Sequence, residues 1–113
     1  MRLPNGDQAE VDIAKLTEYA LNPGHPKGGA KARLFAALLG FTKDNADDFR
    51  KILLQVAKTE DVTSRPPTAY GQPYDMKANV IGPKGSCVVV TITWFIDVGK
   101  NHPRLVTCYI EKD

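Results

Sequence analysis

The sequence predicts an α+β domain in which three helices come first and an antiparallel sheet of three or four strands follows. Up to about residue 60, apolar residues recur at helical spacing, and after about residue 70 the chain is rich in β-branched and aromatic residues. The connections between the predicted strands are too short for parallel crossovers, so the strands are expected to pair antiparallel. With 113 residues, 42% of them hydrophobic, residues 1–113 are expected to form a single domain around one core.

The helical half divides at turn signals. The three helices are predicted from about Asp12 to Leu21, from about Ala30 to Leu39, and from just after Asp44 or Asn45 to about Lys58. Asn22-Pro23-Gly24 ends the first helix, and Gly40 suits a left-handed cap at the end of the second.

The strand half contains three clear candidates and one optional strand. The candidates are Tyr74 to Ile81, Cys87 to Asp97 and Leu105 to Ile110, with a fourth strand if Asp61 to Ser64 or Ala69 to Gln72 pairs at an edge. Simple alternation in the last strand places Leu105, Thr107 and Tyr109 on the face opposite Cys108 and Ile110.

Composition and charge limit the partners and cofactors that we expect. The formal charge of +2 permits nucleic-acid binding without requiring it. The start of the chain has no apolar signal region and no apolar run is long enough to span a membrane, so we expect a soluble, cytoplasmic protein without a membrane partner. Cys87 and Cys108 are expected to be free, buried thiols rather than a disulfide. Because no cysteine or histidine pair has zinc-site spacing, we expect neither a metal nor a cofactor.

The second helix carries a lysine on the face expected to pack against the core. At about 100° per residue, Lys31 falls in the middle of an apolar arc formed by Leu34, Phe35, Leu38 and Leu39. A lysine at such a position either extends out of the first turn to water or serves a site.

The loop before this helix strengthens the second alternative. His25, Lys27, Gly28, Gly29 and Lys31 would gather an imidazole, two ammonium groups and free helix-start amides, a setting that suits a phosphate. The alternative is an ordinary solvated histidine. We interpret His25 and Lys31 as candidate catalytic residues and Lys27, Gly28 and Gly29 as candidate substrate contacts.

The last strand supplies the other candidates. Arg104 at its start offers a guanidinium that can grip a phosphate bidentately, and Thr107 and Tyr109 alternate onto one face. These three are predicted to be catalytic, with cross-strand packing as the alternative. His102 is a candidate substrate contact or part of a polar turn, and Tyr70 is either a packing aromatic or a platform for a base.

Metal-independent RNA cleavage is a chemistry that uses these residue types together. The 2′-hydroxyl needs a base, the leaving 5′-oxygen needs an acid, and the crowded phosphorus centre needs a cation. No Ser-His-Asp order, phosphate-binding P-loop or glycosidase-type acid pair is visible to favour another reaction.

The chain resembles an uncharacterised family of small bacterial domains over nearly its whole length. The resemblance rests on residues 19–35 (YALNPGHPKGGAKARLF), which contain an H-P-x-G-x-x-K-A-x-x-F element, on Leu39-Gly40-Phe41, on Tyr70-Gly71 and on residues 103–109 (PRLVTCY). That family resembles the toxin-type ribonucleases of the barnase, EndoU, colicin and RelE superfamily. One departure is Ile110, which stands where the family usually has a proline.

The resemblance implies a function and a set of partners. It implies a site built from His25 and Lys31 of the helical part and from Arg104, Thr107 and Tyr109 of the last strand. We therefore expect a ribonuclease-like domain that acts on tRNA or mRNA, as the toxin of a toxin–antitoxin or related conflict system, held by a small antitoxin or immunity protein. The alternatives are a non-catalytic protein-interaction module and a module that binds RNA without cleaving it.

Overall fold

The helical half of the computed structural model, which describes residues 1–111, contains the three predicted helices in the predicted order. Helix α1 (Ile13–Lys15) continues into a π-helical segment, α2 (Gly29–Leu34) continues into a second π-helical segment, and α3 (Ala46–Thr59) is regular; the π-helical segments are Leu16–Ala20 and Phe35–Leu39. Gly40 adopts the expected left-handed conformation, with φ of 86°. No helix in the described part of the chain is long and apolar enough to cross a membrane.

Four antiparallel strands form one sheet in the order β1-β2-β3-β4. They are β1 (Val62–Ser64), β2 (Gly71–Ile81), β3 (Cys87–Asp97) and β4 (Arg104–Ile110). The optional fourth strand is therefore the earlier of the two candidates, at the edge beside β2. Strand β2 begins three residues before the predicted Tyr74 and includes Pro73. This proline lies beyond the end of β1, where β2 has only β3 as its neighbour and a missing N–H is tolerated.

The core lies between the helices and one face of the sheet. Fully buried side chains of the helical half, such as Phe35, Phe49 and Leu53, form one cluster with Ile92 and Trp94 of the central strand. Because side chains alternate along a strand, the neighbours of these strand residues project from the other face. We call the first face the core face. The second, which carries Asp75, Lys77, Thr91, Thr93 and Tyr109, is the open face.

A β-bulge in β4 corrects the predicted alternation of the last strand. Thr93 pairs with Thr107, but the next pair along β3 joins Trp94 to Leu105, so Val106 is an extra residue. Leu105 is consequently buried in the core rather than on the face of Thr107 and Tyr109. The bulge likewise turns Arg104 onto the open face.

Candidate functional site

The open face holds a depression that reaches across all four strands. Its volume is about 540 Å³, and its lining includes Arg65 together with Asp75 and Lys77 of β2, Thr91 and Thr93 of β3, and Tyr109 of β4. We call it the open-face depression. Two rows of cross-strand partners form its floor: Asp75 with Thr93 in one row, and Lys77, Thr91 and Tyr109 in the next. Thr107 continues the first row on β4 but does not line the depression.

Helix α2 brings Lys31 to this face. The Lys31 ammonium lies over the Tyr109 ring, with Nζ 4.5 Å from the ring centroid, in a cation–π arrangement. Among residues 1–111, no carboxylate lies within 4.0 Å of this ammonium, so its positive charge is not neutralised by an ion pair there. The first-turn lysine and the last strand therefore come together, as the sequence predicts.

The predicted position of Lys31 within the apolar arc of α2 is wrong. Lys31 is exposed and Leu38 is 42% exposed, whereas Ala32, Phe35 and Leu39 are buried. The buried face of the helix is therefore formed by Ala32, Phe35 and Leu39. Lys31 is thus at the margin of the buried face, from where its stem reaches the edge strand β4.

The His25 side chain binds backbone amides at the start of α2. Its Nδ1 accepts hydrogen bonds from the backbone amides of Lys27 at 3.0 Å and Gly28 at 2.9 Å, and its ring packs against Tyr19 with centroids 4.3 Å apart. The Gly29 amide donates to the His25 carbonyl at 2.9 Å. In the neutral ring the proton is therefore on Nε2.

These contacts correct the expectation of free helix-start amides for a phosphate. The imidazole of His25 is the nearest acceptor and takes the place that a ligand would need, in the manner of a capping side chain. Lys27 is exposed, whereas Gly28 and Gly29 are buried. A Cβ on Gly29 would lie 2.5 Å from the Pro23 carbonyl oxygen, so this glycine is required by close packing.

Arg104 is on the open face but already has a partner. Its Nε donates to Asp97 at 2.7 Å and its Nη2 at 3.1 Å, and its guanidinium lies 5.3 Å from the centroid of the Phe95 ring. The hydrogen bond from Arg104 is the main cause that lowers the pKa of Asp97, and the same bond raises the pKa of Arg104. A phosphate would have to share or displace this carboxylate.

The remaining candidates are dispersed. Thr107 is half-buried in the row of Thr93. His102 lies two residues before β4, where its Nε2 is 3.3 Å from a carboxylate oxygen of Glu10. Tyr70 is 80% exposed in the turn before β2. The structure thus brings Lys31, Thr107, Tyr109 and Arg104 to the open face, whereas the contacts of His25 are with the start of α2 and Tyr19.

Among the polar residues of the depression that were not predicted as site residues, Asp75 contacts both Thr93 and Arg65. The carboxylate of Asp75 accepts a hydrogen bond from Thr93 Oγ1 to Oδ1 at 3.0 Å and forms an ion pair with Arg65, whose Nε lies 2.9 Å from Oδ2. One signal was present in the sequence, because aspartate is depleted within strands and Asp75 stands inside a predicted one. Thr93 and Arg65 carried no such signal.

The floor of the depression also contains an unpaired hydroxyl. Thr91 is 7% exposed, and its Oγ1 has no hydrogen-bond partner among the described residues. A buried polar group without a partner costs about 1–3 kcal/mol. Thr91 lies directly opposite Tyr109 in the sheet register, so the cost falls at the centre of the candidate site.

The structure describes no metal centre and two separate thiols. Within residues 1–111, no group of three or more histidine, cysteine, aspartate and glutamate side chains is arranged to hold a metal ion. Cys108 and Cys87 are both free, as expected, but only Cys108 is buried. Cys87 is exposed at the start of β3. Burial raises the pKa of Cys108 to about 12.

Known proteins resemble this chain in fold and in family. A chain of the solved contact-dependent growth inhibition toxin–immunity protein complex from Klebsiella pneumoniae 342 has a similar fold, with a TM-score of 0.73 and 17% sequence identity. The similarity covers 96% of this chain and 97% of that one. No curated protein matches the sequence. The family described as "Domain of unknown function (DUF6883)" matches residues 2–112, and the chain therefore belongs to it.

Proposed function

We propose that this domain is a toxin-type ribonuclease that cleaves RNA by metal-independent transesterification at its open face and is neutralised by an immunity protein. The observation that carries the proposal is the Lys31 ammonium over the Tyr109 ring, 4.5 Å from its centroid. It places a cation without a carboxylate partner among residues 1–111 beside a hydroxyl-bearing side chain of the last strand. The fold shared with a chain of a toxin–immunity complex supports the same reading.

In this proposal the cations and hydroxyls act on the scissile phosphate. Lys31 stabilises the negative charge that develops on the phosphorane oxygens. Thr107 donates a hydrogen bond to a phosphate oxygen, and the Tyr109 hydroxyl protonates the leaving 5′-oxygen. Arg104 contributes charge from the end of the same strand, with Asp97 holding its orientation.

The helix start has a supporting part in this proposal. His25 fixes the loop that precedes Lys31 through its bonds to the Lys27 and Gly28 amides. Its assignment as a catalytic residue stays a prediction, and so do the assignments of Lys27, Gly28, Gly29, Tyr70 and His102 as substrate contacts. The RNA partner and the cytoplasmic location also stay predictions.

Expression in bacteria tests the proposal. The wild-type domain is expected to arrest growth and to fragment tRNA or mRNA into pieces with 5′-hydroxyl ends. Lys31→Met should abolish both effects, because it keeps most of the unbranched apolar stem of the side chain and removes the charge. Lys51→Met, which changes an exposed lysine of α3, is the matched control and should remain toxic.

Two outcomes would overturn the enzymatic proposal. Harmless expression of the wild type with intact total RNA and tRNA would contradict it. Retention of RNA in a pull-down without any cleavage would favour the RNA-binding alternative. The immunity-protein partner is tested by co-expressing the product of the adjacent gene, which should relieve growth arrest and co-purify with the domain.

A further inference from the structure

The proposed reaction needs a group that takes the proton of the 2′-hydroxyl, and the contacts of His25 place its imidazole elsewhere. Its Nδ1 is held by two backbone amides and its ring packs on Tyr19. The depression that contains Tyr109 holds a different proton acceptor. We propose that the carboxylate of Asp75 is the general base of this site, an inference that rests on the proposed ribonuclease function.

Asp75 is fixed in the depression from two sides. The Thr93 hydroxyl donates to Oδ1 at 3.0 Å, and Arg65 Nε is 2.9 Å from Oδ2. Each carboxylate oxygen has a second acceptor position, and the side chain is 39% exposed, so a substrate hydroxyl can approach it. The carboxylate is thus oriented without being sealed off from a ligand.

The sheet register separates Asp75 from Tyr109, the residue that Lys31 contacts, by two strand spacings and one row. Asp75 lies in the cross-strand row of Thr93 and Thr107, next to the row that ends at Tyr109. Rows on one face are about 7 Å apart along the strands, and two strand spacings span about 10 Å. In the proposed complex a ribose and its 3′-phosphate lie between these groups, with the 2′-hydroxyl toward β2 and the leaving oxygen toward β4.

Other carboxylates near the open face are less suitable. Asp97 does not line the depression, and Arg104 holds it bidentately. Glu111 lies 3.3 Å from the Lys77 ammonium, and its side chain is 54% exposed. Asp61 is 78% exposed and lies near the amino terminus of the chain and Arg2.

The proposed step conserves atoms and charge. Asp75 takes the proton from the 2′-hydroxyl while the 2′-oxygen forms a bond to phosphorus. The bond between phosphorus and the 5′-oxygen breaks, and that oxygen takes a proton from the Tyr109 hydroxyl. The products are a 2′,3′-cyclic phosphate and a 5′-hydroxyl, and both side chains return to their starting states by exchange with water.

The test is RNA cleavage by the purified chain with Asp75→Asn. The amide keeps the shape of the side chain and an acceptor oxygen but has lost the base, so the cleavage rate should fall about 100-fold or more. Asp48→Asn removes the same charge from an exposed position of α3 outside the depression and should stay within a few-fold of wild type. A thermal unfolding curve of each variant shows whether it is folded.

A substrate with an activated leaving group distinguishes loss of the general base from loss of the general acid, because such a leaving group needs no proton. An oligonucleotide with a 5′-thio leaving group, placed at the position that the wild type cleaves, should restore activity to Tyr109→Phe but not to Asp75→Asn. Thr93→Val, which releases the carboxylate while leaving it ionised, should lose activity to a smaller extent, about tenfold, and provides the test if Asp75→Asn fails to fold.

The outcomes distinguish this inference from the function on which it rests. If the wild type cleaves RNA and Asp75→Asn cleaves it at a similar rate, only the assignment of the base is wrong. Recovery of Asp75→Asn on the thio substrate would also overturn that assignment. If the wild type cleaves no RNA, the proposed function and the assignment are both wrong.

Discussion

His25 holds the beginning of α2, because its Nδ1 accepts the Lys27 and Gly28 amides. Replacing it with alanine should lower the free energy of unfolding by about 1–2 kcal/mol, since two backbone donors lose their acceptor. His25→Asn offers an oxygen at a similar distance from the backbone and should recover most of that loss. Urea unfolding of the three proteins measures the effect, and equal stability of His25→Ala and wild type would contradict the capping role.

The ion pair of Asp97 with Arg104 makes a pH-dependent contribution to stability. Arg104 lowers the pKa of Asp97 below its ordinary value of 3.8 in the folded state. The contribution is therefore fully present above the unfolded value and is lost as the pH falls through the folded one. Because both side chains are partly exposed, salt should weaken it.

Thermal unfolding between pH 7 and pH 2 tests this sign. Asp97→Asn should lose less stability than the wild type on acidification below about pH 4, since it has no carboxylate to protonate. A steeper acid loss in Asp97→Asn than in the wild type would show that the ion pair is not the source. Repeating the measurement at high salt should bring the two curves closer together.

At the scale of elements, the loop before α2 has two adjacent glycines with different tasks. A Cβ on Gly29 would lie 2.5 Å from the Pro23 carbonyl oxygen, whereas a Cβ on Gly28 would lie no nearer than 3.5 Å to any neighbour. Gly29→Ala should therefore cost about 1–3 kcal/mol as the loop shifts to make room. Gly28 has a φ of −104°, which alanine also adopts, so Gly28→Ala should leave the stability nearly unchanged. This variant is the matched control.

Urea unfolding midpoints of the two variants test whether Gly29 is required by this close contact. A tolerated Gly29→Ala would mean that α2 starts without close contact to the Pro23 carbonyl. The shift of the loop would also displace Lys31, which follows in the first turn. Gly29→Ala should therefore reduce RNA cleavage more than Gly28→Ala does.

The sequence predicts the elements well because their signals are local. Periodicity and turn residues locate three helices and the strand from Cys87 to Asp97, and Gly40 ends the second helix as predicted. The β-bulge at Val106 has no local signal, so Leu105 was assigned to the wrong face. The bulge arises from pairing with β3, which the sequence of β4 alone does not specify.

The candidate site was predicted only in part, because some of its contacts depend on strand pairing. The grouping of Lys31 with Tyr109 followed from a lysine beside apolar residues and from the family resemblance. The partners of Asp75 and Arg104 depend on cross-strand register, which brings Thr93 and Asp97 beside them. The sequence also gave no indication that the ring of His25 would bind the backbone amides that follow it.

At the scale of the whole molecule, the two thiols report the integrity of the fold. Cys87 is exposed, whereas Cys108 is buried in the core and its pKa is raised to about 12. At pH 8 the native protein should react rapidly at one thiol, and at two once denaturant unfolds it. Because unfolding lets Cys108 ionise near its ordinary pKa of about 8.5, stability should fall as the pH rises above that value.

A colorimetric thiol titration in buffer and in guanidinium chloride checks this prediction. Cys87→Ser should remove the rapid reaction and leave the slow one, which identifies each thiol. Two rapid thiols in the native wild type would mean that Cys108 is not buried in the core as the structure describes.

In the proposed function Lys31 serves a site at the open face rather than the fold. The most direct measurement compares purified wild type and Lys31→Met in tRNA cleavage and in thermal unfolding. The cation–π contact of an exposed lysine is worth about 0.5–1 kcal/mol, so the midpoint should stay within a few degrees. Cleavage should be lost in Lys31→Met and retained in Lys51→Met. A Lys31→Met protein that unfolds at a much lower temperature, or that still cleaves tRNA at the wild-type rate, would contradict the account.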